Sequence, residues 1–159
     1  MVREKQLAAM GVDPGGSGAA IVLAENRKVI ARLPFQNKRY ETFWRVGELL
    51  WYYDIRALLE DVHSQLGDSM QSVFVFGMNT GFARDLVELY KIPHEFISPM
   101  NWKKRYRLLK KSKNAAKPVA QELFDGEKIT LDTMDAWLLA DLQWRIMFED
   151  LKVEYAKRP

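Results

Sequence analysis

The chain has 159 residues, 48% hydrophobic and 28% charged, a balance that excludes a disordered or fibrous protein and a length that suits one α/β domain, so residues 1–159 are read as a single domain. The absence of cysteine excludes disulfide frameworks, thiol nucleophiles and thiolate metal sites, leaving oxygen and imidazole as the only metal donors. No apolar run approaches the ~20 residues needed to cross a bilayer and the first residues, MVREK, lack a signal-peptide hydrophobic region, so an intracellular protein is expected.

In chain order, Gln6–Asp13 (QLAAMGVD) predicts a strand that ends in an acid and runs into the turn Pro14-Gly15-Gly16. Gly18–Leu23 and Val29–Phe35 predict two further strands around the polar turn Glu25–Lys28, completing a three-strand meander. Phe43, Trp44, Val46, Leu49, Leu50 and Tyr53 recur at helical spacing, predicting an amphipathic helix over Glu41–Tyr53. Ile55–Val62 predicts a buried strand ending in Glu60 and Asp61. Ser69–Tyr90 has a helical period interrupted by Gly77 and Gly81, four apart on one face, where close packing of a neighbouring element, from this chain or a second subunit, is the expected reason. Glu95–Ser98 predicts a short strand stopped by Pro99. Ala115–Phe124 predicts a helix with Pro118 in its first turn, and Leu131–Phe148 a last helix with Leu138, Leu139, Leu142 and Ile146 on its apolar face. The order βββαβαβαα implies an α/β fold in which a meander joins parallel strands and helices cover the sheet.

The net charge of +3 conceals an asymmetry. Between Asn101 and Pro118 lie Lys103, Lys104, Arg105, Arg107, Lys110, Lys111, Lys113 and Lys117 with no acidic residue, leaving sixteen basic against twenty-one acidic residues elsewhere. Such a segment suits a polyanion bound at one face, since each neutralised phosphate releases counterions, although a solvated surface helix has the same composition.

Four acids stand at positions that point to chemistry. Asp13 and Glu60 close apolar strands which, if adjacent and parallel, bring both carboxylates to the sheet edge where α/β folds place their sites. Asp132 and Asp135, three apart in the first turn of the last helix, can point the same way. Clustered carboxylates repel and so imply a cation, and hard oxygen donors select Mg²⁺ or Mn²⁺. Two such ions ~3.5–4 Å apart activate a water and stabilise the leaving oxygen in phosphoryl hydrolysis. Singly, each acid also has an architectural explanation, as a turn cap, a salt-bridge partner or a helix N-terminal acid.

The turn Gly11-Val-Asp-Pro-Gly-Gly-Ser-Gly18 resembles the first-strand motif of the RuvC-like Holliday junction resolvases of the RNase H-like superfamily. Leu58-Leu-Glu-Asp-Val62 is similar to that family's glutamate-bearing strand, Phe76-Gly-Met-Asn-Thr-Gly81 to its glycine-containing helix, and Asp132-Thr-Met-Asp-Ala-Trp-Leu-Leu139 to its terminal helix, in the same order over nearly the whole chain. The resemblance implies an RNase H-like fold with a mixed five-stranded sheet and helices on both faces. It also implies two Mg²⁺ ions per site, replaceable by Mn²⁺, on Asp13, Glu60, Asp132 and Asp135, and a homodimer that nicks opposing strands of four-way or branched DNA to leave a 5′-phosphate and a 3′-hydroxyl. The short chain looks more like bacteriophage versions of the family, for which the setting is the host cytoplasm.

Ser98-Pro-Met-Asn-Trp-Lys103 and Lys113-Asn-Ala-Ala116 also resemble the family's basic loop and helix start. Lys113 is thereby mapped as a catalytic or phosphate-contacting lysine and Lys103 or Lys104 as a second, while Lys103, Lys104, Arg105 and Arg107, with Lys110, Lys111 and Lys117 of the same segment, are expected to hold the backbone without reading bases. His63 stands where the cellular enzymes carry an aromatic that stacks at the junction, a role open to imidazole. Three other readings compete: a branched-DNA-binding module without cleavage, an RNase H acting on RNA–DNA hybrid, and an actin-like phosphotransferase, for which the chain is too short.

Overall fold

A computed structural model describes residues 4–63 and 67–157. The first strand, β1 (Gln6–Asp13), is buried on both faces from Ala8 to Val12, the environment its unbroken apolar run requires. It pairs antiparallel with β2 (Ala19–Ala24), which pairs antiparallel with β3 (Val29–Pro34). Helix α1 (Arg39–Leu49) then carries the chain to β4 (Tyr53–Glu60), parallel to β1, and α2 (Met70–Leu89) carries it to β5 (His94–Ile97), parallel to β4. The five-stranded sheet is ordered β3-β2-β1-β4-β5. Helices α3 (Pro99–Arg105), α4 (Ala116–Leu123) and α5 (Met134–Phe148) complete the described chain, with a 3₁₀ turn at Lys113–Ala115 leading into α4.

Apolar side chains divide into two cores, one on each face of the sheet. On one, α1 and α2 press Val46, Leu49, Ala83, Leu86 and Val87 against the strands; on the other, α3, α4 and α5 contribute Trp102, Ala120, Trp137, Leu138 and Leu142. Helix α5 lies directly on β1 at Gly11, where a Cβ would stand 2.0 Å from the backbone nitrogen of Ala140. Only glycine permits that approach, and it brings the N-terminus of α5 over the C-terminal end of β1.

Three regions depart from the sequence reading by more than one residue. Helix α1 ends at Leu49 because Tyr53 is taken by the sheet, pairing with Gln6, so β4 starts and stops two residues early. The segment after Pro99 is not merely a basic loop but the helix α3, started by Pro99 in its first turn and by Ser98 Oγ accepting from the Asn101 N–H at 3.2 Å. Helix α5 begins at Met134, which leaves Asp132 in the preceding turn rather than in the first helical turn with Asp135.

Beneath this second core, Asp141 of α5 is fully buried and binds Arg27 of the β2–β3 turn and Arg145 Nε at 2.8 Å, and it accepts from the Tyr106 hydroxyl at 2.7 Å, whose single proton is shared with the Leu138 carbonyl at 3.0 Å. The Arg27 guanidinium lies near the rings of Phe124 and Trp144, 5.4 and 5.3 Å from their centroids. The network ties the meander, the last helix and the segment after α3 together.

Candidate active site

Val12 of β1 pairs with Leu59 of β4, so the next residue of each parallel strand is an acid, Asp13 and Glu60. Both leave the sheet on the face covered by α5, and both line an open cleft of about 970 Å³ that Asp135, Asp132, Lys103 and Lys113 also border. Asp13 is half-buried and accepts the Gly15 N–H on Oδ1 at 2.8 Å. Glu60 is 7% exposed and accepts the Trp102 indole N–H on Oε1 at 2.7 Å.

Burial pushes the Glu60 carboxyl up to about 8, and the negative charges of Asp13 and Asp135 push the same way against the Trp102 hydrogen bond and the Lys103 charge. Burial likewise raises Asp13 to about 6, with Asp135 adding to the rise and the Gly15 N–H opposing it. Asp135 is raised chiefly by burial, with Lys103 and Lys113 drawing it back. Three of the four predicted acids therefore feel one another. The fourth, Asp132, is exposed at the rim, where its Oδ1 accepts from Ser17 Oγ at 2.9 Å.

Among the described residues, no three acids or imidazoles stand close enough to hold a metal ion as placed. The donor set nevertheless fits a hard divalent cation. Among the ion pairs of the described residues none involves Asp13, Glu60 or Asp135, so beyond single hydrogen bonds to Asp13 and Glu60 these desolvated carboxyls have no paired counter-charge, which a divalent cation would supply.

The basic segment divides in two. Lys103 and Lys113 line the cleft, and Lys103 Nζ sits 5.3 Å from the Trp102 ring centroid. Lys104, Arg105, Arg107, Lys110, Lys111 and Lys117 are exposed and lie off the cleft wall, Arg105 donating to the Lys152 carbonyl. His63 reaches the mouth of the cleft with its side chain 80% exposed and Nε2 3.6 Å from Asp61 Oδ2.

Two contributors escape sequence reasoning. Trp102 stands in a cationic stretch, where an aromatic suggests a stacking surface, yet it is fully buried. Asn79 of α2, 1% exposed, donates its amide to the Gly15 and Gly16 carbonyls, each at 2.9 Å, and accepts from Arg39 at 2.9 Å. The available signal is helical phase, since Asn79 is in step with Ala83, Leu86 and Val87 on the buried face. Gly77 and Gly81 do not serve packing within the chain: a Cβ at either would meet nothing within 4 Å. Around them Met70, Val73, Phe74 and Met78 are exposed.

No protein-family model matches the chain, and no curated protein matches it. Among solved structures it is similar to RuvC of Thermus thermophilus, with a TM-score of 0.63 at 13% identity over 94% of this chain and 99% of that one. The same protein in complex with its Holliday junction substrate gives a TM-score of 0.61 with the same identity and coverage. The chain has the RNase H-like fold, with the mixed sheet and two helical layers that the resemblance implied. No helix among the described residues is long and apolar enough to cross a membrane.

Proposed function

We propose that this protein is a structure-selective endodeoxyribonuclease that resolves four-way DNA junctions as a homodimer. The observation that carries the reading is the meeting of Asp13, Glu60 and Asp135 on one wall of a cleft bordered by Lys103 and Lys113. Asp13, Glu60 and Asp135 would hold Mg²⁺, or Mn²⁺ in its place, with Asp132 joining them from the rim. When bound, the two metal ions supply activation of water and charge stabilisation on the leaving oxygen.

The chain's own residues do the rest. Lys113 and Lys103 offset charge on the scissile phosphate, and the exposed cations Lys104, Arg105, Arg107, Lys110, Lys111 and Lys117 hold flanking backbone, so recognition rests on the shape of the branch rather than on base edges. His63, exposed at the mouth, would stack on a base at the branch point, a role its solvent-facing imidazole supports. The open apolar face of α2, with Gly77 and Gly81 at its centre, supports self-association through that helix, because a two-fold dimer presents two sites to a nearly two-fold substrate.

The test is cleavage of a labelled immobile four-way junction beside matched linear duplex and RNA–DNA hybrid, in Mg²⁺ or in EDTA, by wild type and Asp13→Asn. Paired nicks across the junction alone, requiring both metal and Asp13, are expected. Binding of the junction without cutting would replace this reading with a branched-DNA-binding module, and cutting of the hybrid would move it to an RNase H.

A further inference from the structure

The loop after β1 poses a mechanical problem. Pro14, Gly15 and Gly16 follow directly on Asp13, and glycines impose little backbone direction of their own. A Cβ at Gly15 would crowd Asp13 Oδ1 at 3.0 Å; at Gly16 nothing lies within 4 Å. The same Gly15 whose N–H holds Asp13 Oδ1 is thus free of any side-chain anchor, and the aim of that N–H must be fixed from outside the loop.

Asn79 is built to do this. Its amide nitrogen spends both protons on the Gly15 and Gly16 carbonyls, which flank the Gly16 Cα, at 2.9 Å each, and its amide oxygen is occupied by Arg39 Nη1 of α1, also at 2.9 Å. The Arg39 contact fixes which way the amide faces, because only the nitrogen side can donate to carbonyls. An amide with 1% exposure inside an otherwise apolar helix face is costly unless satisfied in this way. Helix α2 therefore presents its open face to solvent and, one residue away from the exposed Met78, reaches into the site through Asn79.

We propose that Asn79 is a positioning residue for Asp13, holding the Gly15–Gly16 backbone so that the Gly15 N–H keeps the Asp13 carboxylate on the cleft wall shared with Glu60 and Asp135, with Arg39 holding Asn79 in turn. The proposal rests on the nuclease reading above. Asn79 acts through the Gly15 N–H, itself the direct outer partner of Asp13, and loss of such direct partners costs about 10–100-fold in metal affinity or activity.

Direct binding of Mn²⁺ to the full chain, followed by the electron paramagnetic resonance signal of the free ion, tests it without reliance on turnover. Asn79→Asp is the informative variant: it keeps the acceptor for Arg39, loses both donors and sets a carboxylate against two carbonyl oxygens. Asn79→Asp and Asn79→Ala are expected to weaken Mn²⁺ binding about 10-fold or more and to lower kcat on the junction with KM for DNA unchanged. Arg39→Met, at the outer end of the clamp, is expected to shift binding in the same direction by less, and it serves if the Asn79 variants do not fold. Asp13→Asn is the control for the site itself. Wild-type Mn²⁺ binding by Asp13→Asn would overturn the metal-site reading. Loss of binding in Asp13→Asn alongside wild-type affinity in the folded Asn79 and Arg39 variants, even with lowered Tm, would overturn the positioning role alone.

Discussion

Replacing Glu60 with glutamine should make the metal-free protein more stable, and by an amount that depends on pH. The folded chain holds the Glu60 proton up to about pH 8, whereas the group's ordinary value is 4.5. Stability is therefore greatest below about pH 4.5 and falls as pH rises through that window, because the unfolded chain releases a proton that the folded chain still binds. The linkage for those two values costs wild type roughly 1 kcal/mol at pH 5 and roughly 4 kcal/mol at pH 8. Glutamine escapes the penalty: it carries no charge to desolvate, and its amide oxygen can still accept from the Trp102 indole N–H. At ~2–4 °C per kcal/mol for a chain of this size, Tm in EDTA should rise by roughly 8–16 °C at pH 8 and by only a few degrees at pH 5. Differential scanning fluorimetry across pH 5–8, with EDTA or millimolar Mg²⁺, measures this, and Mg²⁺ should stabilise wild type more than Glu60→Gln. A Tm at pH 8 in EDTA that falls on substitution, or a gain equal at both pH values, would refute the claim that an uncompensated carboxylate at Glu60 strains the fold.

Other perturbations test separate parts of the structure. Trp102→Phe removes the indole N–H from a buried acceptor and should cost roughly 1–3 kcal/mol in urea unfolding. Phe74→Glu, on an exposed position of α2, should convert a dimer to monomer in sedimentation velocity while changing monomer stability by less than about 0.5 kcal/mol. Asp141→Asn leaves Arg27 and Arg145 facing a neutral amide in the core and should cost roughly 3–5 kcal/mol by chemical denaturation. Lys110→Ala with Lys111→Ala should flatten the log–log salt dependence of junction binding by about 1–2 if both touch phosphate. Lys103→Ala should flatten that slope by no more than about 1 while reducing the cleavage rate far more than it weakens junction binding.

The sequence carried the parts of this architecture that follow from unbroken apolar runs and from acids at their ends. Strand β1 has the boundaries its composition predicts, and Asp13 and Glu60 meet because two such strands lie parallel and in register. What stayed hidden depends on tertiary contact. The end of α1 is decided by the pairing of Tyr53 with Gln6, which helical periodicity cannot anticipate. Asp132 and Asp135 are three apart, the spacing of one helical face, yet the helix begins between them and sends Asp132 to Ser17. Trp102 and Asn79 bear polar atoms whose partners lie 42 and about 64 residues away in the chain, so no local pattern marks them as members of the site.

The cationic stretch is the clearest case of a composition that conceals two mechanical roles. Helix α3 is pinned on several sides: Trp102 to Glu60, Asn101 Nδ2 to the Glu154 carbonyl at 3.0 Å, Arg105 to the Lys152 carbonyl, and, just past its end, the Tyr106 hydroxyl to Asp141. Lys103, inside that frame, is held at a fixed place against the acids it tempers. Beyond Tyr106 the backbone turns through left-handed conformations at Arg107 (φ 57°) and Lys110 (φ 60°), positions where a non-glycine residue is uncommon. Lys110 and Lys111 are exposed there, with Leu108 as the nearest buried anchor. A cation meant to stabilise charge at one atom gains from being rigidly placed, whereas cations that neutralise a polymer backbone need only be near it. Under the nuclease reading proposed above, the side-chain anchoring of α3 and the exposed turns after it divide the basic residues along that line, which would assign Lys103 to the chemistry of the cleft and Lys110 and Lys111 to the hold on DNA.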